Sequence, residues 1–225
     1  MNGFKKVAAI VVAVGLMTSM SSIAFATEVD NSNSTTNNTS LTEIQVGQKI
    51  GDFVVVDVND FTMTTDEVVE YYINEKQYSL EAAQKEAFEL LANNQAIRTI
   101  AIQVNATDDL GLTSIIEIGC RVRTSSAGGR TDFQEILDSW TGIISSGIQE
   151  WNEFTHSAEI VGSQNVSIDF YARGTIEVVI TKATTSGFSF ELLESLGYSV
   201  ETSSSKDWHV RKVVDLEGKY TLPGY

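Results

Sequence analysis

Residues that usually build catalytic and metal sites are scarce in this chain of 225 residues. It has two histidines, His156 and His209, and a single cysteine, Cys120. Neither histidine belongs to a His-x-x-x-His pattern, and a Cys-x-x-Cys pair is absent, which argues against a zinc enzyme. We therefore expect no cofactor and no bound metal. One cysteine also excludes an internal disulfide, so the fold must depend on its hydrophobic core.

Motifs for nucleotide binding and covalent catalysis are missing as well. The sequence contains no Gly-x-Ser-x-Gly, no phosphate-binding loop and no Gly-x-Gly-x-x-Gly. These absences favour a protein that is not an enzyme. A hydrolase that uses two carboxylates remains an alternative, because such a pair is defined by its separation in space rather than by a motif.

Basic residues are few compared with acidic ones. The chain has 15 Lys and Arg against 30 Asp and Glu, a net charge of −15. Removal of residues 1–26 would take away Lys5 and Lys6 and no acid, leaving a net charge of −17. Such a charge repels nucleic acid and anionic lipid, so we expect neither as a partner.

The long apolar run of the chain lies at its N-terminus. Val7–Met17 follows Lys5 and Lys6, and small residues occupy the cleavage positions in Ala24-Phe25-Ala26. The run is shorter than the roughly 20 residues that a membrane-spanning helix needs. We predict a signal peptide over 1–26 that is cleaved near Ala26, and a secreted protein whose mature form is not stably inserted in a membrane. An uncleaved anchor is the alternative.

The mature chain divides into three parts. Residues 27–43 are rich in Ser, Thr and Asn and predict a disordered leader. Residues 44–95 predict a strand and a helical hairpin, with a capping box at Thr64 and Glu67, and Ser79 as the second N-cap. Leu80, Ala83, Ala87, Leu90 and Leu91 recur at helical spacing in the second helix. We expect the hairpin to cover one face of a sheet, with partner docking as the alternative.

Residues 96–225 predict an antiparallel β domain, because apolar residues recur with a period of two. Cys120 falls in phase with Ile116, Ile118 and Val122, which indicates a buried thiol. We predict a flexible loop at "SSAGGRTD", turns at "GSQN", "ARGT" and "DLEG", and short helical turns in "SFELLESLG". The fold expected is mostly β: an antiparallel sandwich or barrel-like domain with the hairpin packed on it, an α+β arrangement.

The candidate binding site lies near the C-terminus, where basic residues concentrate in an acidic chain. It comprises Lys206, Trp208, His209, Arg211 and Lys212. Trp208 would stack on a ligand, and Arg211 would donate to an anionic or glycan group. In the alternative, these basic residues pair with acids such as Asp207 and Asp215.

Two further tryptophans, Trp140 and Trp151, are secondary candidates for sugar stacking, with the core as their alternative location. His156 would lie on the apolar face shared by Phe154, Ala158 and Ile160, as a hydrogen-bonded buried histidine.

The strings "RTIAIQVNA…IIEIGCRVRTSSAGG" and "LLESLGYSVETSSS…WHVRKVV" follow a signal peptide and a helical pair. Over roughly residues 64–222 the chain resembles small secreted proteins of Gram-positive bacteria with no assigned function. The resemblance implies export and a β-rich fold. We expect a non-catalytic protein that binds a cell-wall glycan or a surface protein at the envelope. The alternatives are the carboxylate hydrolase and a pore-forming toxin with a β-hairpin at Val166–Thr181.

Overall fold

A computed structural model describes residues 41, 43–51, 53–107, 113–145, 149–181, 198–202 and 207–225, all within one compact unit, Thr39–Tyr225. The elements are, in order, β1 Lys49–Ile50, β2 Phe53–Thr62, α1 Thr65–Asn74, α2 Leu80–Ala92, β3 Gln95–Thr107, β4 Thr113–Ala127, β5 Arg130–Ser145, β6 Gln149–Val161, β7 Ser167–Thr181, β8 Ser199–Thr202 and β9 Asp207–Thr221. The predicted signal peptide, leader residues 27–40 and the predicted helical turns in "SFELLESLG" lie outside the described residues. Neither helix is long and apolar enough to cross a membrane.

The strands form two antiparallel sheets that meet in one hydrophobic core. The first sheet has the order β1-β2-β3-β4-β5, and the second has the order β6-β7-β9-β8. The core includes Ile100 and Val122 from the first sheet and Phe170 and Leu216 from the second. The prediction of a mostly antiparallel β fold is therefore confirmed.

Alternation along β4 determines which side chains enter this core. Ile116, Ile118, Cys120 and Val122 are buried between the sheets, because successive side chains of a strand point to opposite faces. Burial raises the pKa of the Cys120 thiol to about 12. The prediction that Cys120 is buried is confirmed, and a thiol held in its protonated form is a poor nucleophile.

The helical hairpin packs on the face of the first sheet that points away from this core. The predicted capping box is present: Thr64 N donates to Glu67 Oε2 at 2.7 Å, and Glu67 N donates to Thr64 Oγ1 at 3.4 Å. Ser79 caps α2 by accepting from Ala82 N. A second hydrophobic cluster joins the helices to β3, and its members are Val68, Tyr71, Tyr72, Ala83, Ala87, Leu90 and Ile97. The hairpin thus covers the sheet, as predicted, although Leu80 and Leu91 lie outside its buried face.

Glycines within the strands account for two incorrect turn predictions. "ARGT" and "DLEG" are not turns, because β7 and β9 run through them. A Cβ on Gly174 would lie 2.6 Å from the Trp151 ring, and a Cβ on Gly218 would lie 2.8 Å from Ile44 Cγ1. Each glycine makes room for a side chain. Since β7 continues as one strand, the hairpin expected at Val166–Thr181 is not formed.

The segment "SSAGGRTD" is a tight hairpin instead of a flexible loop. Ala127 pairs with Arg130 across Gly128 and Gly129. The two glycines have φ values of 60° and 81°. Positive φ at both central residues is the geometry of the two-residue turns that fit the twist of antiparallel strands. The two glycines therefore form a two-residue turn that connects β4 directly to β5.

Side-chain hydrogen bonds connect β5 of the first sheet with β6 of the second. Trp151 Nε1 donates to Thr141 Oγ1 at 2.9 Å, and Thr141 Oγ1 donates to Glu153 Oε2 at 2.6 Å. His156 Nδ1 lies 2.7 Å from Glu153 Oε1, and its Nε2 lies 3.0 Å from Ser139 O. His156 is hydrogen-bonded, as predicted, but it is half-buried where the sequence predicted a buried histidine.

A second polar link joins β9 to the first sheet. Arg98 binds the Asp60 carboxylate through two contacts, of which Nη2 to Oδ2 is 2.7 Å. Tyr220 on β9 donates its hydroxyl to the same carboxylate, and burial raises the pKa of Tyr220. The Arg98–Asp60 ion pair of the first sheet therefore supplies a hydrogen-bond acceptor for the hydroxyl group of Tyr220, a buried residue of the second sheet.

Candidate functional site

The second sheet has an outer face that points away from the core, and polar residues dominate it. Strand pairing places the side chains of this face in rows that run across the sheet. The rows are Val179-His209-Glu201, Glu150-Glu177-Arg211-Ser199, Asn152-Thr175-Val213 and Thr155-Arg173-Asp215. Most of these residues are exposed, whereas Glu177 and Thr175 are buried, because their strand is flanked on both sides. A carboxylate therefore lies at the centre of the face.

Four residues surround this carboxylate and form with it the Glu177 cluster: Asn152, Glu177, Glu201, His209 and Arg211. Arg211 Nε donates to Glu177 Oε2 at 2.9 Å, and Asn152 Nδ2 donates to the same oxygen at 3.2 Å. His209 Nδ1 contacts Glu177 Oε1. Arg211 Nη1 donates to Glu201 Oε2 at 2.7 Å. The cluster thus spans all four strands of the sheet.

The cluster has a buried centre and an exposed rim. The hydrogen bonds from Arg211 and His209 hold the pKa of Glu177 below its usual value, so this carboxylate is ionised at neutral pH. The Glu177 side chain is 11% exposed, whereas that of Glu201 is 65% exposed. An exposed ion pair contributes only about 0–1 kcal/mol. The contact of Arg211 with Glu201 can therefore give way to another acceptor at little cost.

Apolar side chains flank the cluster. A bulge in β6 between Glu153 and Thr155 makes Phe154 an extra, unpaired residue of the strand, and its side chain is 60% exposed. The prediction that Phe154 shares a face with His156 is wrong, because the extra residue of a bulge shifts the phase of the strand. Val213 is 53% exposed in the row next to Arg211. The outer face therefore combines fixed charges with exposed apolar groups.

No protein-family model matches this chain, and no curated protein or solved structure matches it. The outer face is therefore interpreted from its own geometry and chemistry. Fixed hydrogen-bonding groups beside an exposed aromatic ring suit a polar ligand that also has an apolar side.

The structure brings together two of the five residues predicted for the C-terminal site. His209 and Arg211 both contact Glu177. Trp208 and Lys212 lie on the opposite face of β9, since side chains alternate along a strand, and Lys212 Nζ is 5.5 Å from the centre of the Tyr198 ring. Lys206 lies outside the described residues.

The alternative interpretation, in which the basic residues form ion pairs with acidic residues of the same chain, applies to Arg211. Its acids are Glu177 and Glu201, whereas Asp215 contacts Arg173 at 3.3 Å. Any ligand of this face therefore meets an arginine that is already positioned by two carboxylates.

The secondary candidates, Trp140 and Trp151, each cover a glycine. A Cβ on Gly119 would lie 2.5 Å from the Trp140 ring, and Gly174 has the same relation to Trp151. Trp140 Nε1 donates to Glu117 Oε1 at 2.9 Å, and the Trp151 indole is bonded in the β5–β6 contact. Both rings are half-buried, and the structure places neither on the outer face with the Glu177 cluster.

Sequence reasoning missed Asn152, Glu177 and Glu201. A signal for Glu177 was present, because it is a single charge in the β-branched string "TIEVVIT", out of phase with Ile176 and Val178. Such a residue faces away from the core when the strand is formed. The signal could place Glu177 on the outer face, but it could not identify His209 and Arg211 as its partners.

Among the described residues, no group of three or more His, Cys, Asp or Glu side chains is arranged to hold a metal ion. The acids of the Glu177 cluster are occupied by nitrogen donors instead, namely Arg211, His209 and Asn152. The arrangement is therefore one of hydrogen bonding.

Proposed function

We propose that this protein is secreted and acts without catalysis, by binding a glycan of the bacterial cell envelope on the outer face of its second sheet. The observation that supports binding most directly is the Glu177 cluster. One ionised carboxylate holds His209, Arg211 and Asn152 in place on a solvent-facing surface. Side chains that are ordered before binding lose little conformational entropy when a ligand arrives.

The chemistry of the face fits a sugar ring, which has hydroxyl groups at its edge and an apolar side. Arg211 and Asn152 supply donors, and the exposed Glu201 supplies an acceptor. Phe154 follows Asn152 by two residues along β6 and offers a flat apolar ring that is 60% exposed. Hydroxyl groups would bind the cluster while the apolar side of the sugar packs on Phe154.

The charge of the protein restricts the class of glycan. With a net charge of −17 after residue 26, the protein repels polyanionic polymers over distances of about a Debye length, roughly 8 Å at physiological ionic strength. A neutral or amino-bearing sugar chain fits better than a phosphate-rich one. The cellular location rests on the signal-peptide pattern of residues 1–26 and on the resemblance to secreted proteins of Gram-positive bacteria.

Hydrolysis by two carboxylates has less support from the geometry. Such enzymes keep one carboxyl group protonated near neutral pH, whereas the pKa of Glu177 is lowered. Burial raises the pKa of Asp169, but Asp169 lies eight residues from Glu177 on β7, which is about 26 Å along a strand. The two carboxylates are too far apart to act on one bond. Pore formation has less support too, since Ser167–Thr181 forms one continuous strand where the pore-forming hairpin was expected.

Cosedimentation with isolated cell walls tests the proposal. Residues 27–225 would be mixed with protease-treated walls of a Gram-positive bacterium, together with the variants Arg211→Ala and Phe154→Ser. Arg173→Ala is the matched control, because Arg173 lies on the same face in an exposed ion pair with Asp215. We expect both test variants to weaken binding by about tenfold or more, and the control to bind like the wild type.

The outcomes distinguish the possible ligands. Equal binding by Arg211→Ala and Arg173→Ala would show that the Glu177 cluster is not the site. Loss of binding after protease treatment of the walls, but not after digestion of their glycan, would indicate a surface protein instead. Absence of wild-type binding to any wall preparation would refute the function. Circular dichroism and thermal melting confirm that each variant is folded.

A further inference from the structure

Helix α2 buries two alanines and one leucine and leaves three large apolar side chains exposed. Ala83, Ala87 and Leu90 contact the first sheet. In contrast, Leu80 is 58% exposed, Phe88 is 71% exposed and Leu91 is 59% exposed. A helix that only covers its own sheet is expected to bury its largest apolar residues. The distribution in α2 therefore requires a different explanation.

The three exposed residues are here called the α2 stripe: Leu80 at the start of the helix, and Phe88 and Leu91 near its end. At 3.6 residues per turn, Leu91 lies about 20° around the helix axis from Leu80 and about 16 Å along it. Phe88 lies beside Leu91 at a separation of three residues, where side chains are neighbours. Phe88 and Leu91 therefore form one apolar contact surface, and Leu80 adds a second about two to three turns before it.

The surroundings of the α2 stripe are strongly acidic. Residues 64–92, which comprise both helices and their connection, contain seven acidic and two basic residues. The basic residues are engaged within the domain: Lys76 Nζ donates to Leu137 O at 3.1 Å, and Lys85 Nζ lies 3.5 Å from Glu89 Oε1. Glu81 lies on the same line of the helix as Phe88, seven residues before it, and is exposed.

We infer that the α2 stripe is a docking site for a cationic amphipathic helical segment of another protein. The leucine and phenylalanine side chains would receive its apolar face, and the acidic residues of the hairpin would attract its Lys and Arg residues. A second copy of this chain fits less well, because it would bring two hairpins of net charge −5 together. Anionic lipid is disfavoured for the same reason. The site is separate from the outer face of the second sheet.

Fluorescence anisotropy with a defined probe tests this inference. The probe is a labelled 18-residue peptide of leucine and lysine in a helical amphipathic pattern, and the reference is the same pattern with glutamate in place of lysine. The protein comprises residues 27–225, with Phe88→Ser as the test variant. Val46→Ser is the matched control, since Val46 is 65% exposed and lies before β1, outside both proposed surfaces. A third variant, Glu81→Lys, reverses a charge on the same line of the helix as Phe88, about 10 Å from it along the axis.

We expect the wild type to bind the lysine peptide and not the glutamate peptide. Loss of the apolar contact between Phe88 and the peptide should weaken binding by about tenfold or more. Glu81→Lys should also weaken binding, while Val46→Ser should not. Phe88 and Glu81 are exposed, so thermal melting should show both variants folded.

Three results would overturn the inference. The first is equal binding of the lysine peptide by wild type and Phe88→Ser. The second is a wild-type dimer in light scattering that Phe88→Ser converts to a monomer, since the occupant would then be a second copy. The third is cosedimentation with phosphatidylglycerol vesicles that Phe88→Ser abolishes, since the occupant would then be a membrane.

Discussion

The buried thiol of Cys120 makes the stability of this protein depend on alkaline pH. In an unfolded chain a cysteine ionises near pH 8.5, whereas burial raises the pKa of Cys120 to about 12 in the fold. Because the folded pKa is the higher one, the stabilising contribution is complete below about pH 8.5 and is lost as the pH rises towards 12. A pH of 10.5 is about two pH units above the cysteine pKa of the unfolded chain. Ionisation of the thiol in the unfolded state therefore lowers the free energy of unfolding by about 3 kcal/mol at this pH.

Urea denaturation of the wild type and of Cys120→Ala, each at pH 7.5 and pH 10.5, measures this contribution. Other ionisable groups contribute to the pH dependence of stability as well, but they affect both proteins equally. Removal of the sulfur reduces packing at both pH values, so this cost cancels as well. We expect the wild type to lose about 3 kcal/mol more than Cys120→Ala between the two conditions.

Equal losses in the two proteins would refute the reasoning, because they would mean that the thiol ionises as readily in the fold as in the unfolded chain. A thiol-specific reagent supplies an independent check. Since Cys120 is the single cysteine and is fully buried, labelling should proceed only through opening of the fold, and urea should accelerate it. Rapid labelling of the native protein at pH 7.5 would contradict the burial on which the magnitude depends.

Three further changes test the packing of the fold. Gly174→Ala should cost about 1–3 kcal/mol, because its Cβ would meet the tryptophan ring above it, whereas Gly142→Ala, with no atom within 4 Å, should leave the melting temperature nearly unchanged; similar melting of both variants would contradict this. Tyr220→Phe should lower the free energy of unfolding by about 1.5–3 kcal/mol in urea titrations, since it removes the hydrogen bond to an ionised carboxylate on β2, and full retention of stability would count against that bond. Thr64→Ala should cost about 1 kcal/mol by loss of the α1 cap, and Thr64→Ser should restore most of it; a smaller loss for Ala than for Ser would argue against capping.

Local chemistry made much of the fold predictable from the sequence. The alternation of apolar and polar residues in β4 identifies its buried face, including Cys120, because strand geometry fixes which side chains share a face. The capping box of Thr64 and Glu67 identifies the start of α1 for a similar reason, since both partners lie within one turn. Features that depend on neighbours in the sequence were therefore predicted correctly.

The incorrect turn predictions at "ARGT" and "DLEG" concern glycines whose contacts lie far away in the sequence. Gly174 lies in a strand because Trp151 covers it, and Gly218 does so because Ile44 covers it. Without knowledge of those contacts, a glycine beside polar residues has the pattern of a turn. The same difficulty affects the bulge at Phe154, which changes the phase of β6 and becomes visible only from its pairing with β7.

The candidate site was only partly predictable, because register determines which residues meet. Arg211 and His209 could be found as basic residues in an acidic chain, but Glu177 lies more than 30 residues away from both. A shift of one residue between β7 and β9 would turn Glu177 towards the core and leave Arg211 without its acceptor. The assignment of roles within the cluster therefore required the pairing of the strands.

Ionic strength provides a physical distinction between the two proposed binding surfaces. Attraction of a cationic segment by the acidic hairpin acts through solvent, so it should weaken as the Debye length falls from about 10 Å at 0.1 M salt to about 3 Å at 1 M. A neutral glycan on the Glu177 cluster would gain its energy from short-range hydrogen bonds and from packing on Phe154, which salt affects little. The two proposals therefore predict distinct responses to salt, because different forces would act at the two surfaces.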